Sequence, residues 1–117
     1  MSTTQTPQNF TITSGDSKTL RVSVVDQDGA AVDLTGASAV WAVATSRSTP
    51  ILLQKATPAS ITITDGPGGL LEVTLDPADT DSFAGSYYHE LQIVDNEGRK
   101  STALTGTLNV RHDLITT

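Results

Sequence analysis

From Phe10 onward the chain alternates apolar and polar residues with a period of two. That is the signature of strands with one face buried and one solvated. Phe10-Thr11-Ile12-Thr13 is the first such run, and Ser14-Gly15-Asp16 breaks it. Leu20, Val22 and Val24 then alternate with Arg21 and Ser23 and predict a half-buried strand. Asp26-Gln27-Asp28-Gly29 is a turn, since Asp side chains bond nearby backbone and Gly29 accepts a positive φ. Val32 to Gly36 is a short extended piece, and Ala39, Trp41 and Val43 share one face of the next strand. Ile51 to Lys55 predicts a short strand between Pro50 and Pro58. Ile61 and Ile63 lead through Asp65-Gly66-Pro67-Gly68-Gly69, the strongest turn in the chain, to Leu71, Val73 and Leu75. Asp76-Pro77-Ala78-Asp79 reads as one helical turn, with Asp76 placed to cap and Pro77 at the first helical position. Tyr87, His89, Leu91 and Ile93 lie on one face of a further strand, which Asp95-Asn96-Glu97-Gly98 turns. Leu104, Leu108 and Val110 carry the last strand, and Gly106 marks a bulge or a close approach.

This makes seven to nine short strands, regular turn signals and no amphipathic helix, which predicts an all-β, antiparallel β-sandwich. Residues 1–9 read as a polar N-terminal arm, 10–112 as the sandwich and 113–117 as a C-terminal tail. Phe83-Ala84-Gly85-Ser86-Tyr87 has the form of a tyrosine corner, in which a Tyr hydroxyl bonds back to upstream backbone. In disulfide-bearing immunoglobulin domains the second Cys follows that Tyr by two residues. Here that position is His89, and Trp41 sits on the strand where those domains keep a core Trp. The pattern is that of an immunoglobulin-like sandwich in which packing replaces the disulfide, with Val22 or Val24 facing His89.

Composition narrows the function classes. The chain has 117 residues, enough for one domain. It has no Cys, which excludes disulfide miniproteins, zinc ribbons and thiol enzymes. Its net charge is −6 and its seven Lys and Arg are scattered, Arg99-Lys100 being the one adjacent pair. That argues against nucleic acid as a partner. No apolar run approaches the roughly 20 residues that cross a bilayer. The first six residues carry neither a basic nor an apolar signal region. The 19 threonines suit solvent-facing strand positions.

Candidate chemistry is sparse. His89 could act as ligand or base, but it reads as a partly buried residue at the edge of the core, and His112 as a solvated terminus. Asp26-x-Asp28-Gly29 resembles a fragment of a calcium loop without its remaining ligands. Asp76, Asp79 and Asp81 read as capping and surface charge. Gly66-Pro67-Gly68-Gly69 is no phosphate loop, because no Gly-Lys-Ser/Thr follows, and there is no Gly-x-Ser-x-Gly elbow. The expectation is a non-enzyme with no catalytic, cofactor-binding or metal-ligating residue and no cofactor. Tyr88, Glu90 and Gln92 form an outward face suited to sugar or protein contact. The strand near Ile51 to Lys55 and the arm of residues 1–9 are candidate interfaces.

A larger pattern runs through Ser14-Gly15-Asp16-Ser17-Lys18-Thr19-Leu20-Arg21-Val22, Asp26 to Ala37, Trp41, Leu75 to Thr80, Gly85 to Ile93, Asp95 to Arg99 and Thr105 to Val110. It resembles the immunoglobulin-like sandwich domains of tailed-bacteriophage structural proteins, and is similar to the N-terminal domain of phage baseplate upper proteins. The resemblance implies a virion structural protein, made in the bacterial host cytoplasm, that docks multivalently on capsid, neck, tail or baseplate proteins in a symmetric assembly. A chain of this length fits a decoration, connector or adaptor role. It carries no active-site residues across. The competing expectation is an extracellular immunoglobulin-like module that recognises glycans or a host cell surface; a calcium-dependent adhesion repeat is a third.

Overall fold

A computed structural model of the protein describes residues 6–7, 9–26 and 28–111. Among the described residues nine strands and one helical turn follow one another: β1 (Thr6–Pro7), β2 (Phe10–Thr13), β3 (Lys18–Ser23), β4 (Ser38–Ala44), β5 (Leu53–Ala56), β6 (Ile61–Asp65), β7 (Leu70–Leu75), α1 (Pro77–Thr80), β8 (Gly85–Val94) and β9 (Lys100–Arg111). They form two sheets. The larger runs β1-β9-β8-β4-β5, with β2 also on β9, and the smaller runs β3-β7-β6.

The alternation read from the sequence sets the inner faces. Leu20 and Val22 of β3, Ala39, Trp41 and Val43 of β4, Leu71, Val73 and Leu75 of β7, and Leu91 and Ile93 of β8 are buried in one core. Between β3 and β4 the described residues form no strand. One bridge pairs Val25 with Ala31, and Leu34 is nevertheless fully buried. The Asp65–Gly69 turn supports this segment, since Leu34 N–H donates to the Gly66 carbonyl and Val24 N–H to that of Gly69.

Several details differ from the sequence reading. Residues 6–7 of the expected arm are a strand, aligned with Leu104 and Thr105 of β9. β1 and β2 join β9 in parallel rather than antiparallel fashion. β1 and β2 meet β9 here without a hairpin, and the Ser14–Asp16 turn carries the backbone across to the other sheet, with Gly15 at φ 79°. The expected strand at Ile51 to Lys55 is displaced to Leu53–Ala56, leaving Ile51 and Leu52 exposed ahead of it. The irregularity in the β8–β9 ladder lies at Leu91/Gln92; Gly106 stays in register opposite His89. The expected tail 113–117 and His112 lie outside the described residues, as do residues 1–5.

Candidate docking surface

The residues singled out for chemistry are first accounted for by the fold. His89 is fully buried rather than at the edge of the core. Trp41 Nε1–H donates to His89 Nδ1 at 3.1 Å. That bond requires an unprotonated Nδ1, so the neutral ring carries its proton on Nε2. The Phe10 ring on β2 lies 5.3 Å from the imidazole. Gly106, opposite His89 in the ladder, brings no side chain to that position. Val22 and Val24 are both buried in the same core. Tyr87 makes the corner: its hydroxyl accepts from Ala84 N–H at 3.1 Å and donates to the Ala84 carbonyl at 3.2 Å, while its ring stacks on Phe83.

The acidic groups serve turns. Asp26 Oδ1 accepts from the N–H groups of Asp28 and Ala30. Hydrogen bonds from Thr35, side chain first and backbone second, hold the Asp33 carboxyl below its ordinary range. The Arg99 backbone N–H is the largest cause holding Asp95 low. At α1 the cap runs back from Asp79, whose Oδ2 accepts from Asp76 N–H at 2.7 Å. Thr80, fully buried, accepts from Gly15 N–H through Oγ1 at 3.2 Å and pins the β2–β3 turn.

What remains is the margin of the larger sheet at β5. Among the described residues β5 pairs with β4 alone, with Leu53 opposite Val43 and Lys55 opposite Trp41. An edge strand presents unpaired N–H and C=O groups along its free side, and proteins blunt it with short length, charged side chains or inward-pointing charges. Here Lys55 is turned in. Its Nζ lies 2.7 Å from Asp79 Oδ2, and its side chain is 11 % exposed. Ile51 and Leu52, by contrast, stand 56 % and 51 % exposed just ahead of the strand. They are two of three large apolar side chains so exposed among the described residues, Leu70 being the third.

Next to them a groove of about 200 Å³ runs along the outer face. Ala42 and Ala44 belong to its lining, with Ile51, Arg47, Tyr88 and Glu90. The Arg47 guanidinium lies over the Tyr88 ring at 5.3 Å, and Tyr88 Oη–H donates to Glu90 Oε1 at 2.7 Å. Burial, and then the Glu90 bond, push the Tyr88 phenol above its ordinary range. So two sequence candidates, the Tyr88 face and the Ile51–Lys55 segment, converge on one surface. Arg47 was not foreseen; the only signal was a cation in the loop between the two strands. Gln92 is on the same outward side of β8, opposite Val40 of β4 and outside the groove's lining.

No protein-family model matches the sequence, and no curated protein matches it. Solved structures do. The NK cell receptor NKp44, a triggering partner in natural cytotoxicity, is similar with a TM-score of 0.51 and 19% identity, over 91% of this chain and 99% of that one. Tim-1 is similar with a TM-score of 0.44 and 14% identity, over 97% and 100%. At such identities the likeness concerns fold. With the tyrosine corner, the core tryptophan and two facing sheets, it defines the chain as an immunoglobulin-like β-sandwich built without a disulfide.

Proposed function

We propose that the protein is a structural subunit of a tailed-phage virion, acting by binding rather than catalysis, through repeated protein–protein contacts at the β5 margin. The observation that carries this reading is the pair of exposed aliphatic side chains, Ile51 and Leu52, beside a four-residue edge strand. A small apolar patch on an open strand edge suits addition of a partner's backbone. One such contact is weak, and symmetry multiplies it. The sequence resemblance to phage sandwich domains supplies the setting, a capsid, neck, tail or baseplate. The test is incorporation. Purified particles should contain the chain, and Ile51→Asp with Leu52→Asp should lower its copy number while the isolated domain stays folded. Particles lacking the chain, or wild-type incorporation of the double variant, overturn the reading.

The second reading, a module for host-surface glycans, has one observation in its favour: Tyr88 in the groove beside Glu90. Against it, Arg47 lies over the ring face on which a sugar would stack. Specific binding on a glycan array that Tyr88→Ala abolishes would select it.

A further inference from the structure

We propose that β5 pairs antiparallel with β5 of a second copy of this chain, about a two-fold axis near Gln54 that is perpendicular to the sheet. The proposal rests on the docking role of the β5 margin and names its occupant. Two six-stranded sheets become one.

The register follows from which way the side chains face. Leu53 and Lys55 point inward, because they lie opposite Val43 and Trp41, both buried in the core. A two-fold axis perpendicular to the sheet keeps inner face with inner face, so directly opposed residues must share a face. Gln54 opposite itself satisfies that condition. Leu53 then faces Lys55, Leu52 faces Ala56 and Ile51 faces Thr57. Each copy thus sets its exposed Ile51 and Leu52 beside Thr57 and Ala56 of the other. The exposed pair and the positions it meets sit at opposite ends of one short strand, as a self-complementary contact requires.

Charge favours the same occupant. Residues 34–64 contain no Asp or Glu, although the chain as a whole carries −6. Within that stretch Arg47 and Lys55 are the charged residues, and Lys55 is paired with Asp79. Asp79 on Lys55 and Glu90 in the groove balance these two cations, so the β5 margin is near neutral and two acidic copies meet less repulsion there. A four-residue edge with two flanking side chains falls short of the roughly 1,200 Å² that a stable interface buries. The dimer is accordingly weak alone and tightens as salt screens the remaining net charge.

The absence of native Cys allows a direct test. Gln54→Cys places two thiols face to face across the axis, within disulfide reach. Thr19→Cys, exposed on β3, is the control. Under mild oxidation Gln54→Cys should form covalent dimer at least about tenfold faster, given that geometry. Adding Ile51→Asp should remove the advantage. Sedimentation equilibrium of the native chain should show weak self-association that strengthens from about 0.05 M to about 0.5 M salt. Equal cross-linking rates, or association that salt weakens, overturn the proposal. If the rates are equal yet Ile51→Asp with Leu52→Asp still lowers virion incorporation, β5 docks a different virion protein and only the second copy falls. If incorporation is unchanged as well, both readings fall.

Discussion

The two margins of the larger sheet are finished in opposite ways. At one, β9 is covered by the chain's own N-terminal segment, first β1 and then β2. Between them the Asn9 side chain bridges the gap by accepting Thr107 N–H at 2.9 Å. The edge that results is short and broken, and Pro7 in β1 has no N–H to offer a neighbour. At the other margin no strand covers β5 among the described residues, and of its backbone only the Ala56 carbonyl is taken by the turn that follows, through Ser60 N–H. The smaller sheet guards its edges too: β6 carries a register shift between Ile63 and Asp65, and β3 presents Lys18 and Arg21. β5 too is short and carries an inward-pointing charge, Lys55; what sets its margin apart is the exposed apolar pair Ile51 and Leu52 beside it. An apolar pair left exposed beside a sheet edge marks a place where pairing is wanted.

The largest expected effect lies at the covered margin. His89 ties it to the core, with Trp41 bonded to its ring and Phe10 of β2 against it. His89→Ala opens a cavity and strips the buried indole N–H of its acceptor, at a cost of about 3–4 kcal/mol. Urea denaturation measures the loss. Native-state hydrogen exchange should show the amides of residues 10–13 losing protection ahead of those in β7. Equal loss in both strands would mean that Phe10 is not what holds the margin down.

At the open margin the corresponding tether is Lys55–Asp79, which links β5 of one sheet to α1 at the end of β7 in the other. Lys55→Met keeps most of the apolar stem and removes the charge. Asp79 still accepts from Asp76 N–H and is partly exposed, so the expected loss is about 1–2 kcal/mol. The same variant should leave dimerisation intact or raise it, since no lysine returns to guard the edge. A fall in association without a fall in stability would show that Lys55 itself contacts the partner.

Asn9→Ala should cost about 1 kcal/mol, the net worth of one backbone-to-side-chain bond. Its mark is local, with faster exchange of the Thr107 amide while β5 is unchanged.

The contrast between the margins was half legible in the sequence. Period-two alternation placed the inward residues of β3, β4, β6, β7 and β8, because a buried face leaves little freedom of register. The tyrosine corner and Trp41 were readable because their partners are local or fixed by the fold. What escaped were facts of long-range pairing. Nothing near Thr6 announces that it will lie beside Leu104, and a polar segment with no periodicity reads as an arm. Nothing near Lys55 announces that Asp79, distant in sequence, turns it inward. The shift of β5 past Ile51 and Leu52 hid the exposed pair inside an expected strand. His89 was seen as only partly buried because its hydrogen-bond partner, Trp41, is far away in the chain.

The smallest expected effect separates the open margin from the β8–β9 turn by pH. Tyr88 ionises above its ordinary value of 10.0, first because it is part-buried and second because its hydroxyl donates to Glu90. A group whose folded pKa is raised lends stability that is full below the unfolded value and lost as pH rises through the folded one. The Tyr88–Glu90 bond should therefore outlast the ordinary ionisation of a phenol and fail only as pH rises through the raised value. Asp95 runs the other way. Its carboxyl is held below the ordinary 3.8, first by the Arg99 N–H, so its contribution is present above that range and lost as pH falls through the depressed value. Following ring and carboxyl signals by NMR across both ranges distinguishes the two. Base should perturb the groove at Arg47, Glu90 and Ile51 while leaving Glu97 and Arg99 unchanged, and acid should release Arg99 from Asp95. Tyr88→Phe should abolish the alkaline response of Glu90. If Glu90 still shifts in that variant, Arg47 rather than the phenol governs the groove.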